Sequence, residues 1–345
     1  MPNNNEVTSL PPSEALDSIY TLESPAGAGH PPVPPGRAHV PLDPDRPTWG
    51  VGSALAVWFA SLLLVIFVPL VFLIPYASYR GIAFQPGSPD YWPAVGQFAI
   101  ADKGAVLVQV LALLPIHILT FLLVWALVTR FGKQSFKEAI GWGWPPNLRS
   151  WVGPALCVVL GAVMFVIGMV TAKLLGADTP TQLEQIVKSS YAARLALVVL
   201  AVGTAPFVEE FIYRGVLYSA LRRGVGTLGT LILGTFNIEL EPAARERVGV
   251  VGAVILVLAL FTMIHVPQYW PNIGVIAAVG ILSFVLTVVR AYSGKLLPCI
   301  VIHLVFNGIQ AVLLLVEPYA QRFLPTVPAP PDPASIILSL MAFLT

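Results

Sequence analysis

Residues 195–221 read LALVVLAVGTAPFVEEFIYRGVLYSAL, an apolar run that contains three charged side chains. A helix needs ~20 mainly apolar residues to cross the hydrocarbon core of a bilayer, and this run supplies them. Charged groups inside such a helix are costly, and they usually mark a functional site. The run therefore predicts a membrane-spanning helix in which Glu209, Glu210 and Arg214 need specific partners.

The composition of the whole chain is that of an integral membrane protein. Of its 345 residues, 56% are hydrophobic and 11% are charged, and the mean hydropathy is +0.79. A soluble domain has about twice that share of charged residues. The net charge of +1 excludes a strongly basic nucleic-acid-binding protein. We expect the protein to interact with the lipid bilayer and not with nucleic acid.

Apolar runs of spanning length recur along the chain and predict an all-α fold, a polytopic bundle of about seven transmembrane helices. No alternation typical of strands is present, and a bilayer demands that the backbone satisfy its own hydrogen bonds. A final short run, SIILSLMAFLT, either lies at the interface or begins an eighth helix. The predicted spans are residues 51–76, 105–128, 151–173, 195–221, 248–269, 272–290 and 296–317.

The chain divides into four parts by composition. Proline-rich residues 1–48 predict a disordered tail, and residues 49–149 predict two transmembrane helices followed by an interfacial loop. Residues 150–318 hold the remaining spans, and residues 319–345 form a proline-rich linker with the short apolar segment. Lys and Arg are about twice as frequent in the loops on the side of the tail, which predicts a cytoplasmic N-terminus.

Spacing separates the three charges of the fourth span. Glu210 and Arg214 are four residues apart with the glutamate first, which favours an ion pair within one helix. Glu209 points about 100° away around the helix, and no cation in its own helix neutralises it. The partner of Glu209 must come from another helix.

Later spans offer His265, His303 and Asn307 as candidate partners. Neutral imidazole binds metals and acts as a general base, and an Asn amide can donate a hydrogen bond to an oxyanion. Glu209, His265 and His303 could ligate Zn²⁺, or Glu209 and His265 could deprotonate a water without metal. Taken singly, each polar residue could also only pack helices together. An ion or proton conductor is a further alternative, although the polar residues cluster toward one side of the membrane.

Three motifs in order resemble a known family. EEFIYR at 209–214 fits EExxxR, FTMIH at 261–265 fits FxxxH, and HLVFN at 303–307 fits HxxxN. This pattern resembles the CPBP intramembrane proteases, which include the type 2 CAAX prenyl endopeptidases and bacteriocin-immunity proteins. The resemblance covers residues 150–318. Residues 226–247 are longer than the usual connector and predict an insertion at the cytoplasmic face.

The resemblance implies an intramembrane endopeptidase that cuts membrane-associated peptides or proteins near the cytoplasmic side. Glu209 looks like the essential glutamate and His265 its partner in activating water. His303 and Asn307 look like the oxyanion-stabilising residues, while Glu210 and Arg214 support the site. Family members are named metalloproteases, which suggests Zn²⁺ as a cofactor. A non-enzymatic immunity scaffold that binds a partner remains the alternative.

The expected location is a bacterial inner (plasma) membrane. No nuclear, organellar or retention signal is found in the sequence, and most bacteria do not prenylate proteins. A membrane-anchored peptide is therefore a more fitting substrate than a prenylated one.

Overall fold

A computed structural model describes residues 42–177, 186 and 188–323 of the protein. Within these ranges the regular structure is entirely helical, so the all-α prediction is confirmed. The elements are α1 (Val51–Tyr79), α2 (Tyr91–Ala101), α3 (Lys103–Thr129), α4 (Phe136–Ala139), a short 3-10 helix (Pro146–Leu148), α5 (Val152–Leu175), α6 (Tyr191–Gly203), α7 (Ala205–Glu210), a π-helix (Phe211–Leu217), α8 (Tyr218–Gly234), α9 (Pro242–Tyr269), α10 (Ile273–Ser293) and α11 (Leu297–Phe323).

Seven helical segments in the described part of the chain are long and apolar enough to cross a membrane. They are α1, α3, α5, the α6–α8 run, α9, α10 and α11, and each overlaps one predicted span. The fourth is much longer than predicted, because helix continues from Tyr191 to Gly234. The short C-terminal run, predicted to lie at the interface or to begin an eighth helix, lies outside the described residues.

The helices pack so that the charged fourth span lies inside the bundle. α1 packs against α3, α3 and α11 pack against α6, and α9 packs against both α8 and α10. Only 11% of the most apolar window of α1 is buried, against 56% for α10. Apolar side chains that face outward are expected where the surrounding solvent is lipid. The α6–α8 run and α10 therefore lie inside the bundle, and α1 faces the bilayer.

The fourth span is not a regular helix. Thr204 leaves the helical conformation between α6 and α7, two residues before Pro206, whose ring cannot continue an α-helix without strain. After Glu210 the chain forms a seven-residue π-helix whose members are all buried. Such π-helical turns are rare and often lie at functional sites. Here the two irregularities enclose the glutamates.

The end of the predicted N-terminal tail is part of the helical body. Most of residues 1–48 lies outside the described ranges, but residues 42–48 are described. Asp45 in this segment accepts from Arg290 at 2.9 Å and pairs with Arg222 at 2.7 Å. Arg290 is fully buried, so it needs a nearby carboxylate to compensate its charge. That need accounts for the placement of a polar segment against the bundle.

The longer connector at residues 226–247 forms the tip of a helical hairpin between α8 and α9. The two helices touch at their backbones, since a Cβ on Gly249 would lie 2.3 Å from the carbonyl oxygen of Arg222, and one on Gly226 would lie 3.0 Å from that of Arg245. Small residues permit this approach in membrane helices. The hairpin is thus a firmly packed extension of the fourth and fifth spans.

Candidate active site

The predicted ion pair between Glu210 and Arg214 is present in the structure. Arg214 Nη1 donates to Glu210 Oε1 at 3.0 Å, and both side chains are completely buried. Arg214 Nη2 also donates to the carbonyl and hydroxyl of Ser283, at 3.1 and 2.9 Å. Its Nε donates to Thr287 Oγ1 at 3.3 Å. The guanidinium therefore joins the fourth span to α10, a role that spacing within one helix could not reveal.

Glu210 has a second partner, which links it directly to the histidines. His303 Nδ1 donates to the same Glu210 Oε1 at 2.9 Å. A carboxylate can only accept, so this contact fixes the proton on Nδ1 and the orientation of the ring. Carboxylate contacts of this kind commonly orient functional histidines. The sequence had assigned Glu210 only to Arg214, and it contains no signal for the contact with His303.

Glu209 faces a different side of the helix, as its position in the turn predicts. About 20% of its side chain remains exposed, and its Oε2 lies 3.9 Å from His303 Nε2. That separation is too long for a direct hydrogen bond. Polar atoms so spaced are commonly bridged by a water. The Nε2 atom of His303, on another helix, is thus a partner that lies near Glu209.

His265 is oriented through the phenylalanine of its own motif. Its Nδ1 donates to the carbonyl oxygen of Phe261 at 2.7 Å, so Nε2 carries the lone pair when the imidazole is neutral. The Phe261 ring lies 4.5 Å from the His265 ring and 4.8 Å from the guanidinium carbon of Arg214. Phe261 therefore packs between the ion pair and His265, which explains physically why an aromatic residue precedes the histidine.

Asn307 lies one turn beyond His303 on α11 and is also buried. Its Nδ2 donates to the carbonyl oxygen of Ala201 at 2.9 Å. An amide nitrogen has a second hydrogen to donate. Its Oδ1 is buried and makes no hydrogen bond with the described residues. Buried polar atoms are normally satisfied, by water if not by protein, so this atom indicates a water beside the amide.

Two cavities meet at the site. The smaller has about 10 Å³ open to the centre of a water molecule and is lined by Glu209, Phe261, His265, Val279, Leu282, His303, Phe306 and Asn307. That space is about what one water requires. The structure thus gathers the four residues predicted to be catalytic around a space of the size of one water.

The larger cavity has about 130 Å³ on the same measure and also touches Glu209 and His265. Most of its lining is apolar, and α1 and α3 contribute residues such as Val65 and Leu113. His117 lies on its wall, where Nδ1 donates to Thr204 Oγ1 at 2.7 Å. This bond holds the broken turn of the fourth span against α3. The reactive side chains therefore adjoin an apolar chamber inside the bundle.

The sequence predicts Glu209, His265 and His303 as zinc ligands. Within the described ranges, no group of three or more His, Cys, Asp or Glu side chains is placed to hold a metal ion. The Nδ1 atoms of His265 and His303 are used by Phe261 and Glu210. Metal-binding histidines commonly donate Nδ1–H to a carbonyl or carboxylate and bind through Nε2, so Zn²⁺ as a cofactor stays a prediction.

Comparison with known proteins supports the reading of the motifs. The family model described as type II CAAX prenyl endopeptidase Rce1-like matches residues 191–309. This region contains all four candidate catalytic residues and begins at α6. No curated protein and no solved structure was found to be significantly similar to the chain. The seven apolar helices, together with the match to this family model, support an integral membrane protein. The three motifs that resemble this family all lie within the matched residues 191–309.

Proposed function

We propose that the protein is an intramembrane endopeptidase that hydrolyses peptide bonds of membrane-associated peptides or proteins. The observation that carries this proposal is the water-sized cavity bounded by Glu209, His265, His303 and Asn307. A hydrolase inside a bilayer must hold a water next to a base and next to donors for an oxyanion. These four side chains supply both kinds of group around one space.

Glu209 and His265 activate the water. The Glu209 carboxylate takes a proton from the water, while the Nε2 lone pair of His265 accepts a hydrogen bond from it. The water oxygen attacks the peptide carbonyl carbon and forms a tetrahedral oxyanion. As the C–N bond breaks, the proton held by Glu209 passes to the leaving amine. None of these reaction steps requires a metal.

Asn307 and His303 stabilise the oxyanion. Asn307 offers the second hydrogen of Nδ2, because the first is used by Ala201. His303 offers Nε2, which donates a hydrogen bond when both ring nitrogens carry a proton. Donors fixed before the reaction are worth about 100-fold to 1,000-fold in kcat each.

The apolar chamber receives the substrate. It adjoins the same two reactive residues, and its walls suit apolar side chains next to the scissile bond. Substrates are expected to be membrane-anchored peptides or proteins that reach the site from the bilayer. We place the cut near the cytoplasmic side of a bacterial plasma membrane, in line with the distribution of Lys and Arg.

Cleavage of a panel of membrane-tethered peptides by protein in liposomes tests the proposal. Glu209→Gln and His265→Ala should each lower kcat by about 100-fold or more, with the helical content and elution volume of the wild type. Glu239→Gln is the matched control, because this glutamate is exposed in the connector between α8 and α9. Cleavage that continues unchanged in Glu209→Gln would overturn the mechanism. Proton flux without cleavage would instead support a conductor.

A further inference from the structure

A third cavity, with a polar lining, lies away from the catalytic residues, at the base of the α8–α9 hairpin. It has about 520 Å³ and is enclosed by the segment that precedes α1 and by the hairpin. We refer to it as the arginine basin. It is lined by Asp45, Arg46, Arg222, Arg223, Gly226, Thr230, Leu240, Pro242, Arg245 and Glu246. Four arginines against two carboxylates leave it with a net positive charge.

The two carboxylates of the basin are already engaged. Arg222 pairs with both Asp45 and Glu246. Asp45 is shared with the buried Arg290. Glu239 and Glu241 belong to the neighbouring connector but are not among the lining residues. Both carboxylates of the lining are therefore already paired with arginines of the protein.

Two of the arginines have only neutral partners. Arg223 Nη1 donates to the carbonyl oxygen of Pro47 at 3.1 Å, and Arg245 Nη2 donates to Thr227 Oγ1 at 2.9 Å. Among the residues that the structure describes, no carboxylate lies within ion-pair distance of either guanidinium. Each has further N–H groups, and a guanidinium fork matches the oxygens of a phosphate. The basin thus offers uncompensated cations to an anionic group.

An apolar groove adjoins the basin across Arg223. This groove has about 260 Å³, and Arg223 lines both spaces. Trp49, Val51, Leu228 and Leu231 contribute its apolar wall, and the last two are more than half exposed. A free anion needs no such wall. A molecule with a phosphate next to a hydrocarbon chain fits both spaces at once.

The hairpin keeps the arginines of the basin in place. α8 and α9 touch at Gly226 and Gly249, so their backbones cannot slide without a clash. Arg223 and Arg245 are held on the two touching helices. Counted along the fourth span at 1.5 Å per residue, Arg223 lies about 20 Å from Glu209. The basin is therefore fixed in shape and separate from the catalytic cavity.

We propose that the arginine basin and its apolar groove bind an anionic phospholipid. The headgroup phosphate contacts Arg223 and Arg245, and the acyl chain lies along Leu228 and Leu231. The basin is at the end of the bundle that Lys and Arg predict to be cytoplasmic, where anionic lipids attract basic clusters. Proteolysis plays no part in this inference, so it stands or fails independently of the proposed function.

Native mass spectrometry of the full chain in mixed micelles tests the site. The micelles contain equal amounts of phosphatidylglycerol and phosphatidylcholine. Wild type should retain phosphatidylglycerol preferentially, and Arg223→Gln with Arg245→Gln should weaken that retention by about tenfold or more, because each lost contact is a hydrogen bond to a charged group. Arg247→Gln is the control, since Arg247 is exposed on α9, the helix that carries Arg245, but does not line the basin. Helical content confirms that each variant folds.

Two further arms identify the ligand. Leu231→Asn should also weaken lipid retention, whereas a site for a free anion would not respond. Inorganic phosphate in excess should leave the bound phosphatidylglycerol in place. Equal retention of both lipids, wild-type retention by the double variant, or complete displacement by inorganic phosphate would each overturn the proposal.

Discussion

The adjacent glutamates of the fourth span should respond oppositely to the same isosteric change. Glu210→Gln removes the charge that faces Arg214 and His303, at 3.0 and 2.9 Å, in a fully buried position. Glu209→Gln removes a charge that has no such ion pair and is about 20% exposed. The first change should therefore mainly lower stability. The second should mainly abolish activity.

The magnitude follows from the burial of the pair. Removing one partner of a buried ion pair costs about 3–5 kcal/mol, because the other charge is left uncompensated. The hydroxyl and carbonyl of Ser283 still hold the guanidinium, so we expect about 3 kcal/mol. At roughly 2 °C per kcal/mol for a large chain, Tm should fall by about 6 °C. Glu209→Gln should leave Tm unchanged or raise it.

Thermal unfolding in detergent, followed by tryptophan fluorescence, measures the first effect, and cleavage of a tethered peptide measures the second. Glu239→Gln again provides a control for the loss of a carboxylate at an exposed position. If Glu210→Gln unfolds at the wild-type temperature, the pair does not stabilise the bundle. If Glu209→Gln loses stability as Glu210→Gln does, the division of roles between the two glutamates is wrong.

Three further predictions concern other parts of the molecule. Asp45→Asn should lower the free energy of unfolding by about 3 kcal/mol, since Arg290 is fully buried beside it, whereas Asp43→Asn, at an exposed position, should not change it. Gly161→Ala should lower the free energy of unfolding by about 1–3 kcal/mol and reduce cleavage, because a Cβ would lie 2.7 Å from a side chain of α11. The control Gly308→Ala on α11 meets nothing within 4 Å and should be neutral. Equal stability of the two variants would contradict this packing. Dialysis against a chelator should leave cleavage intact, and stoichiometric zinc whose removal abolishes and whose return restores activity would refute the metal-free route.

The spans and the ion pair could be predicted because their signals are local. Each helix that crosses the membrane is an uninterrupted apolar run, and length and hydropathy suffice to find it. Glu210 and Arg214 lie one helical turn apart, so their pairing follows from the geometry of a single helix. The π-helix that follows Glu210 has no distinct pattern of residues.

The sequence offered candidate partners on other helices, but it did not show which atoms make contact. Asp45 and Arg290 are 245 positions apart, and Glu210 and His303 are 93 apart. Hydropathy does not say which face of a membrane helix packs, because lipid tails are as apolar as the side chains of a neighbouring helix. The second role of Glu210 therefore emerged only from the structure.

The sequence by itself determined an all-helical membrane protein, the order of its spans and the three motifs that hold its polar residues. Tertiary structure alone decided that those residues enclose a space of the size of one water and that Phe261 orients His265. The physical reason is that composition and periodicity act along one helix, whereas the distance between two side chains on different helices depends on how the whole bundle packs.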